Sequence, residues 1–155
     1  MSIENIKSLM DGFDPASLLP EAGAVLEFLT LAARIAVVAG PVLLLLAGLA
    51  YLFISPKEAN YHFGYRCIHG MGSVEAWRYS QKMAGLIWTG LGLVLTVVMV
   101  IVSGGFAGKE TNEALSSALT CVLWEAGLTL ASVIAINSLV MYHFRANGDR
   151  RRRKR

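Results

Sequence analysis

Three long apolar segments alternate with polar segments along the chain. They cover residues 28–54, 83–102 and 115–142. A helix that crosses the roughly 30 Å hydrocarbon core of a bilayer needs about 20 mostly apolar residues, and each segment reaches that length. The pattern therefore predicts an all-α integral membrane protein with three transmembrane helices. All 155 residues then form a single membrane domain.

The composition supports this prediction. Hydrophobic residues make up 55% of the chain and charged residues only 16%, whereas soluble domains carry about 25% charged residues. Three uninterrupted apolar segments in so short a chain leave too little polar surface to cover them. The composition therefore excludes an ordinary soluble domain.

The basic residues predict the orientation in the membrane. Segment 145–155 carries seven Lys and Arg residues and one acid, and loop 55–82 carries four cations. Loop 103–114 has a single cation, Lys109, and the charged residues of segment 1–27 are five acids and one lysine. Because short basic flanks stay on the cytoplasmic side, we expect the N-terminus outside and the C-terminus inside a bacterial cytoplasmic membrane. Beside a membrane span, the basic tail favours contact with anionic lipids rather than with nucleic acid.

Segment 1–27 is predicted to lie on the outer membrane interface, and it shows no cleavable signal peptide. Its first half has apolar residues at roughly helical spacing, which is typical of a short amphipathic helix: Ile3, Ile6, Leu9, Met10 and Phe13. Asp14 and Pro15 should end that helix. A second short helical stretch is predicted from Ser17 to Glu27, with Pro20 as a kink or a restart.

The loop 55–82 is too rich in structural signals for a plain tether. Pro56 should stop the first helix, since proline cannot continue its hydrogen bonding, and Asn60 and Gly64 are turn formers. Ser73 is a typical N-cap, and Glu75 follows in the first turn, where a carboxylate favours the positive end of a helix. These signals predict a folded cytoplasmic cap and a helix that begins at residue 74 and continues into the second span.

Other residues of this loop predict contacts with the membrane. Trp77 is expected near the inner headgroups, where its ring can be buried and its N–H hydrated. Arg78 and Lys82 lie one helical turn apart and can reach lipid phosphates. Arg66 has three alternatives: an ion pair with Glu75, a cap on exposed helix carbonyls, or the binding of an anion through its planar fork of donors.

Residues 60–85 resemble the signature of the SdpI/YfhL family of bacterial membrane proteins. The matching positions are Asn60, Gly64, Arg66, Ser73, Glu75, Trp77 and Gly85, with Lys82 where the family often has Arg. Two positions depart from the pattern, because Cys67 replaces a Thr and Gln81 replaces an Asn. The resemblance implies immunity to a membrane-active peptide toxin, or signalling in which a cytoplasmic regulator is held at the membrane.

Polar residues inside the spans need an explanation because they are costly in a bilayer. Arg34 and Glu125 are expected at similar depth and are predicted to form an ion pair, and Asn137 is predicted to bond to a neighbouring helix. Alternatively, Glu125 serves a small transporter or an accessory subunit of an oligomer or larger membrane complex, or these polar residues form an external contact with a toxin. Close helix approach is predicted at five glycines: Gly40, Gly48, Gly85, Gly90 and Gly92.

The sequence gives no support for catalysis, a metal or a cofactor. It contains no nucleophile motif, no pair of intramembrane carboxylates and no phosphate-binding loop. His62, Cys67 and His69 are grouped, but no nearby fourth ligand completes a usual zinc site. Cys121 lies in the third span, far from Cys67, so no disulfide is expected. We therefore expect a protein that is not an enzyme.

Overall fold

The computed structural model describes residues 19–60 and 62–151, and these residues form three long helices. Helix α1 is Leu19–Phe53, α2 is Val74–Gly104 and α3 is Thr111–His143. Each is long and apolar enough to cross a membrane. Within these ranges there is no β-strand, apart from an isolated bridge between Phe144 and Arg150. The prediction of an all-α protein with three membrane-crossing helices is confirmed.

The helices extend beyond the predicted spans. Helix α1 begins at Leu19, so the predicted separate stretch up to Glu27 is the first part of the same continuous helix. Pro20 stands in the first turn, where its missing N–H has no helical partner to lose. The predicted amphipathic helix before Asp14 lies outside the described residues.

The predicted start of the second helix is confirmed. Helix α2 begins at Val74, and the hydroxyl of Ser73 accepts a hydrogen bond from the backbone N–H of Ala76 at 3.1 Å. The hydroxyl therefore satisfies one of the donors that a helix leaves open in its first turn. Residues 74–82, which lie between the first two predicted spans, belong to this helix as predicted.

Glycines bring α1 and α2 into close contact at three of the predicted positions. A Cβ on Gly48 would lie 2.7 Å from Oγ1 of Thr89, and one on Gly85 would lie 2.6 Å from Cγ of Leu52. A Cβ on Gly92 would lie 2.7 Å from Cα of Leu45. The prediction for Gly90 is wrong, since no atom of the described residues lies within 4 Å of its side-chain position. Gly40 instead faces α3.

Two buried clusters hold the helices together. The cluster near the α2–α3 connection is formed by Ala33, Val37, Leu95, Met99, Phe106, Ala114 and Ala118. The cluster at the other end is formed by Tyr65, Ala76, Ala84, Ile136, Val140 and Phe144. The second cluster takes Tyr65 from the α1–α2 loop and Phe144 from the segment after α3. These two segments and the first turns of α2 are called the cap below (residues 54–60, 62–81 and 144–151).

Candidate functional site

At the centre of the cap, the side-chain amide of Gln81 forms two hydrogen bonds with the backbone of Tyr65, as a neighbouring β-strand would. The backbone N–H of Tyr65 donates to Oε1 of Gln81 at 2.8 Å, and Nε2 of Gln81 donates to the carbonyl of Tyr65 at 2.7 Å. Gln81 is 2% exposed, so both bonds are sheltered from water. A buried backbone needs such partners, and one residue on α2 supplies both. Gln81 was not among the site residues predicted from the sequence.

Trp77 is a core residue of the cap. Its side chain is fully buried, and its Nε1 donates to the carbonyl of Pro56 at 2.9 Å. The ring is buried as expected, but the expected hydration of its N–H is wrong, because the carbonyl of Pro56 in the loop accepts that hydrogen bond. Gly64 lies against this ring with φ +122°, and a Cβ there would lie 2.7 Å from Cζ2 of Trp77. Only glycine fits this position without strain.

Asn60 begins the turn that leads to Gly64. Its Oδ1 accepts hydrogen bonds from the backbone N–H groups of His62 at 3.0 Å and Phe63 at 2.9 Å. This is the local bonding that makes asparagine a turn former. The turn prediction at Asn60 is confirmed.

Tyr65 ties the loop to α3. Its hydroxyl donates to Oδ1 of Asn137 at 2.9 Å, and its ring makes an edge contact with Trp88 at 5.6 Å between centroids. Asn137 thus bonds to the loop and not, as predicted, to a neighbouring helix. Burial raises the pKa of Tyr65 to about 12, so its hydroxyl stays a neutral donor. Burial also raises the pKa of Cys67, which disfavours a reactive thiolate.

The segment after α3 is folded into the cap. The N–H of Arg145 donates to the carbonyl of Asp149 at 2.9 Å, which closes a tight turn. Gly148 has φ +83°, and its backbone contacts that of Gly72. The hydroxyl of Ser73 donates to the carbonyl of Gly148 at 2.9 Å. Described from the sequence only as a basic tail, this segment carried a turn signal, because Asn-Gly favours such turns.

Glu75 has a different partner from the one considered. It pairs with Arg150 at 3.3 Å, with 63% of the Glu75 side chain and 69% of the Arg150 side chain exposed. An exposed pair of this kind stabilises a fold by at most about 1 kcal/mol. The Arg66–Glu75 ion pair, one of the three alternatives for Arg66, is not formed, and the folded tail brings Arg150 to Glu75 instead.

Arg66 is exposed beside a cleft. Among the described residues, no carboxylate lies within ion-pairing distance of its guanidinium, and none of its side-chain nitrogens donates a hydrogen bond. The cleft has a volume of about 460 Å³ and lies between the loop and α3. Its lining includes Arg66, His69, Asn137, Ser138 and Met141. The guanidinium of Arg66 thus offers hydrogen-bond donors at the edge of this cleft.

A second surface feature of the cap is a basic notch. Nε of Arg78 donates to the carbonyl of Lys57 at 3.2 Å. Lys57, Arg78 and Lys82 line a notch of about 530 Å³ where α1 ends and α2 begins. All three side chains are exposed. The loop and the first turns of α2 therefore bring three cations together at one end of the spans.

Within the described ranges, no group of three or more His, Cys, Asp or Glu side chains could hold a metal ion. Cys67 and Cys121 are both free thiols. His62 is exposed and His69 is half-buried.

Glu125 does not pair with Arg34. Glu125 is 7% exposed, and a Cβ on Gly40 would lie 2.8 Å from its Oε2. Gly40 is six residues from Arg34 along α1, a rise of about 9 Å, so the carboxylate meets the helix well past the arginine. Its Oε1 is buried and has no hydrogen-bond partner among the described residues. The predicted intramembrane ion pair is therefore wrong.

Comparisons with known proteins add no relative: no protein-family model, no curated protein and no solved structure matches the chain.

Proposed function

We propose that this is an SdpI-like bacterial inner-membrane protein whose cap binds an anionic partner through Arg66. In this proposal the N-terminus lies outside, the cap and C-terminus face the cytoplasm, and the protein is not an enzyme. Its role is immunity to a membrane-active peptide toxin, or signalling through a cytoplasmic regulator held at the membrane. The distribution of basic residues supports the orientation.

The main support for this proposal is that most motif residues help to fold the cap, whereas Arg66 does not. Asn60 forms a turn, Gly64 makes room for the Trp77 ring, and Ser73 caps α2. Each of these residues is accounted for by the structure of the cap. Arg66 is exposed without an ion-pair partner among the described residues, so folding of the cap gives no reason for an arginine there.

The chemistry of Arg66 favours a carboxylate or phosphate on the partner. A guanidinium presents parallel donors that match these groups with two hydrogen bonds. The adjoining cleft offers the amide of Asn137 and the hydroxyl of Ser138 beside apolar side chains of Ile68, Ile134 and Met141. Such a surface suits an acidic peptide segment with apolar side chains.

The test compares Arg66→Ala with Arg66→Lys in bacteria that express the full chain. For immunity, we expect survival of a panel of membrane-active peptides to be lost in Arg66→Ala and partly kept in Arg66→Lys, with unchanged thermal stability of the purified proteins. Lys109→Ala, at the other end of the spans, is the control. Protection by Arg66→Ala equal to that of the wild type would refute the binding role.

The signalling branch needs a separate measurement. A photo-crosslinking amino acid at position 66 should trap a soluble protein in living cells, and the same group at position 109 should not. Protection without a trapped protein favours immunity, whereas a trapped regulator without protection favours signalling. Loss of both results, with no protection and no trapped protein, would refute both roles.

A second candidate function, a small transporter or an accessory subunit, is favoured by Glu125. An intramembrane carboxyl with a buried, unpartnered oxygen is the kind of group that marks a transport pathway. Substrate flux in proteoliposomes that is lost in Glu125→Gln would favour this candidate over the role of the cap.

A further inference from the structure

Glu125 lies in a cleft between α1 and α3 that opens toward the lipid. The cleft has a volume of about 640 Å³ and is lined mainly by apolar side chains, among them Leu43, Leu44 and Leu130. Leu43 is 65% and Leu130 is 62% exposed, so these walls continue onto the lipid-facing surface. Along α3, Glu125 is about 21 Å from Thr111 and about 27 Å from His143, which places it well inside the spans.

The cleft is built around the carboxylate. Gly40 is the α1 residue beside it, and any side chain there would meet Oε2. Glu125 is more than nine-tenths buried, and its Oε1 has no donor among the described residues. A buried acceptor without a donor costs about 1–3 kcal/mol, and more when it is charged. The site therefore has a strong need for a hydrogen-bond donor.

Pro41 changes the backbone hydrogen bonding of α1 next to the carboxylate. Pro41 lines the cleft and lies inside α1. Because proline has no backbone N–H, the carbonyl four residues earlier, at Val37, loses its helical hydrogen bond. The lining also includes the hydroxyl of Thr129, which does not reach Oε1 of Glu125, and the remaining walls are apolar.

We infer that this cleft binds a membrane-soluble amphiphile with a protonated amine and an alkyl tail. The ammonium supplies both the donors and the positive charge that the Glu125 carboxylate lacks, and the tail occupies the leucine-lined walls. A volume of about 640 Å³ lies within the range of small-molecule sites. Entry is lateral, from the bilayer. This inference names a ligand class for the second candidate function and is independent of the cap.

The experiment uses the full-length protein in phosphatidylcholine nanodiscs and a ten-carbon primary amine that carries a diazirine on its tail. Illumination should attach the probe to residues of α1 and α3 that line the cleft, as mapped by mass spectrometry. Excess decylamine should remove the labelling, whereas decanol at the same membrane concentration should not.

Two variants and their matched controls test the site. Because a charge-assisted hydrogen bond is lost, labelling should fall at least about tenfold in Glu125→Gln and stay unchanged in Glu113→Gln, an exposed acid of the same helix. Ala126→Phe fills the cleft but keeps the carboxylate, and should also abolish labelling. Ala131→Phe, on a lipid-facing part of α3 outside the cleft, should not.

Equal labelling of the wild type, Glu125→Gln and Ala126→Phe would overturn the inference, as would equal competition by decanol, since both indicate simple partitioning into lipid. Should Glu125→Gln not fold, Ala126→Phe and the decanol competition still decide. Specific labelling without amine flux in proteoliposomes would support the binding site and refute the transport function. The experiments on Arg66 are unaffected by either result.

Discussion

The side-chain amide of Gln81 pairs with both backbone polar groups of Tyr65. The two residues are sixteen positions apart, so this pair fixes the loop against α2 at one point. Tyr65 in turn reaches Asn137 on α3. Tyr65 thereby links the loop to both α2 and α3.

Replacing Gln81 by leucine should destabilise the protein strongly. Leucine fills the space but leaves the N–H and the carbonyl of Tyr65 buried without partners, which costs at least about 2 kcal/mol. Lys82→Leu, at the adjacent exposed position, should change stability by less than about 0.5 kcal/mol. Thermal unfolding in detergent compares them, and equal stability of the two variants would contradict the proposed role of the amide.

Alanine at Gly64 should damage the cap, whereas alanine at Gly90 should not. Gly64 combines a positive φ with contact against Trp77, while nothing lies within 4 Å of the side-chain position at Gly90. We expect Gly64→Ala to cost about 1–3 kcal/mol. Gly90→Ala should be neutral or stabilising by up to about 1 kcal/mol, since alanine favours a helix interior. Tryptophan fluorescence during chemical unfolding measures both.

Alanine at Gly148 should release the folded tail. Gly108 has a similar φ, +86° against +83°, but in the part of the chain that the structure describes nothing lies within 4 Å of its side-chain position. Gly148, in contrast, contacts the backbone of Gly72. The pair of variants therefore separates backbone strain from lost docking. We expect trypsin to cut after Arg145 faster in Gly148→Ala than in Gly108→Ala. Equal cutting rates would mean that docking at Gly72 does not protect the tail.

Changes at Arg34 and Glu125 should be additive. Since the two side chains do not pair, the double change Arg34→Gln and Glu125→Gln should equal the sum of the single changes within about 0.5 kcal/mol. Glu125→Gln alone should change stability in detergent by less than about 1 kcal/mol, because the amide keeps the shape of the carboxyl group and no ion pair with Arg34 is lost. A recovery of stability in the double variant would instead indicate an ion pair.

Cysteine labelling tests the orientation. On a cysteine-free background, an impermeant thiol reagent added to intact cells should mark Lys109→Cys. Lys57→Cys and Arg150→Cys should be marked only after the cells are opened. Labelling of position 109 only after opening would reverse the proposed topology.

Local signals predicted the helices and their caps well. The Ser73 cap and the Asn60 turn depend on neighbours within three positions, so residue type and spacing suffice. The Gln81–Tyr65 pair and the buried Trp77 depend on how the loop folds back onto α2, which no short window contains. Arg34 and Glu125 show the same limit: similar depth was read from the sequence, but the helix face and the register against the neighbouring helix decide the contact.

The docked tail has a consequence for biosynthesis. The hydroxyl that caps α2 donates to Gly148, a residue that leaves the ribosome only after all of α3 has been made. During synthesis the Ser73 end of α2 therefore lacks this contact until α3 has been made. The cap can therefore close at Ser73 only after all of α3 has been made, and a chain halted before residue 148 lacks this contact.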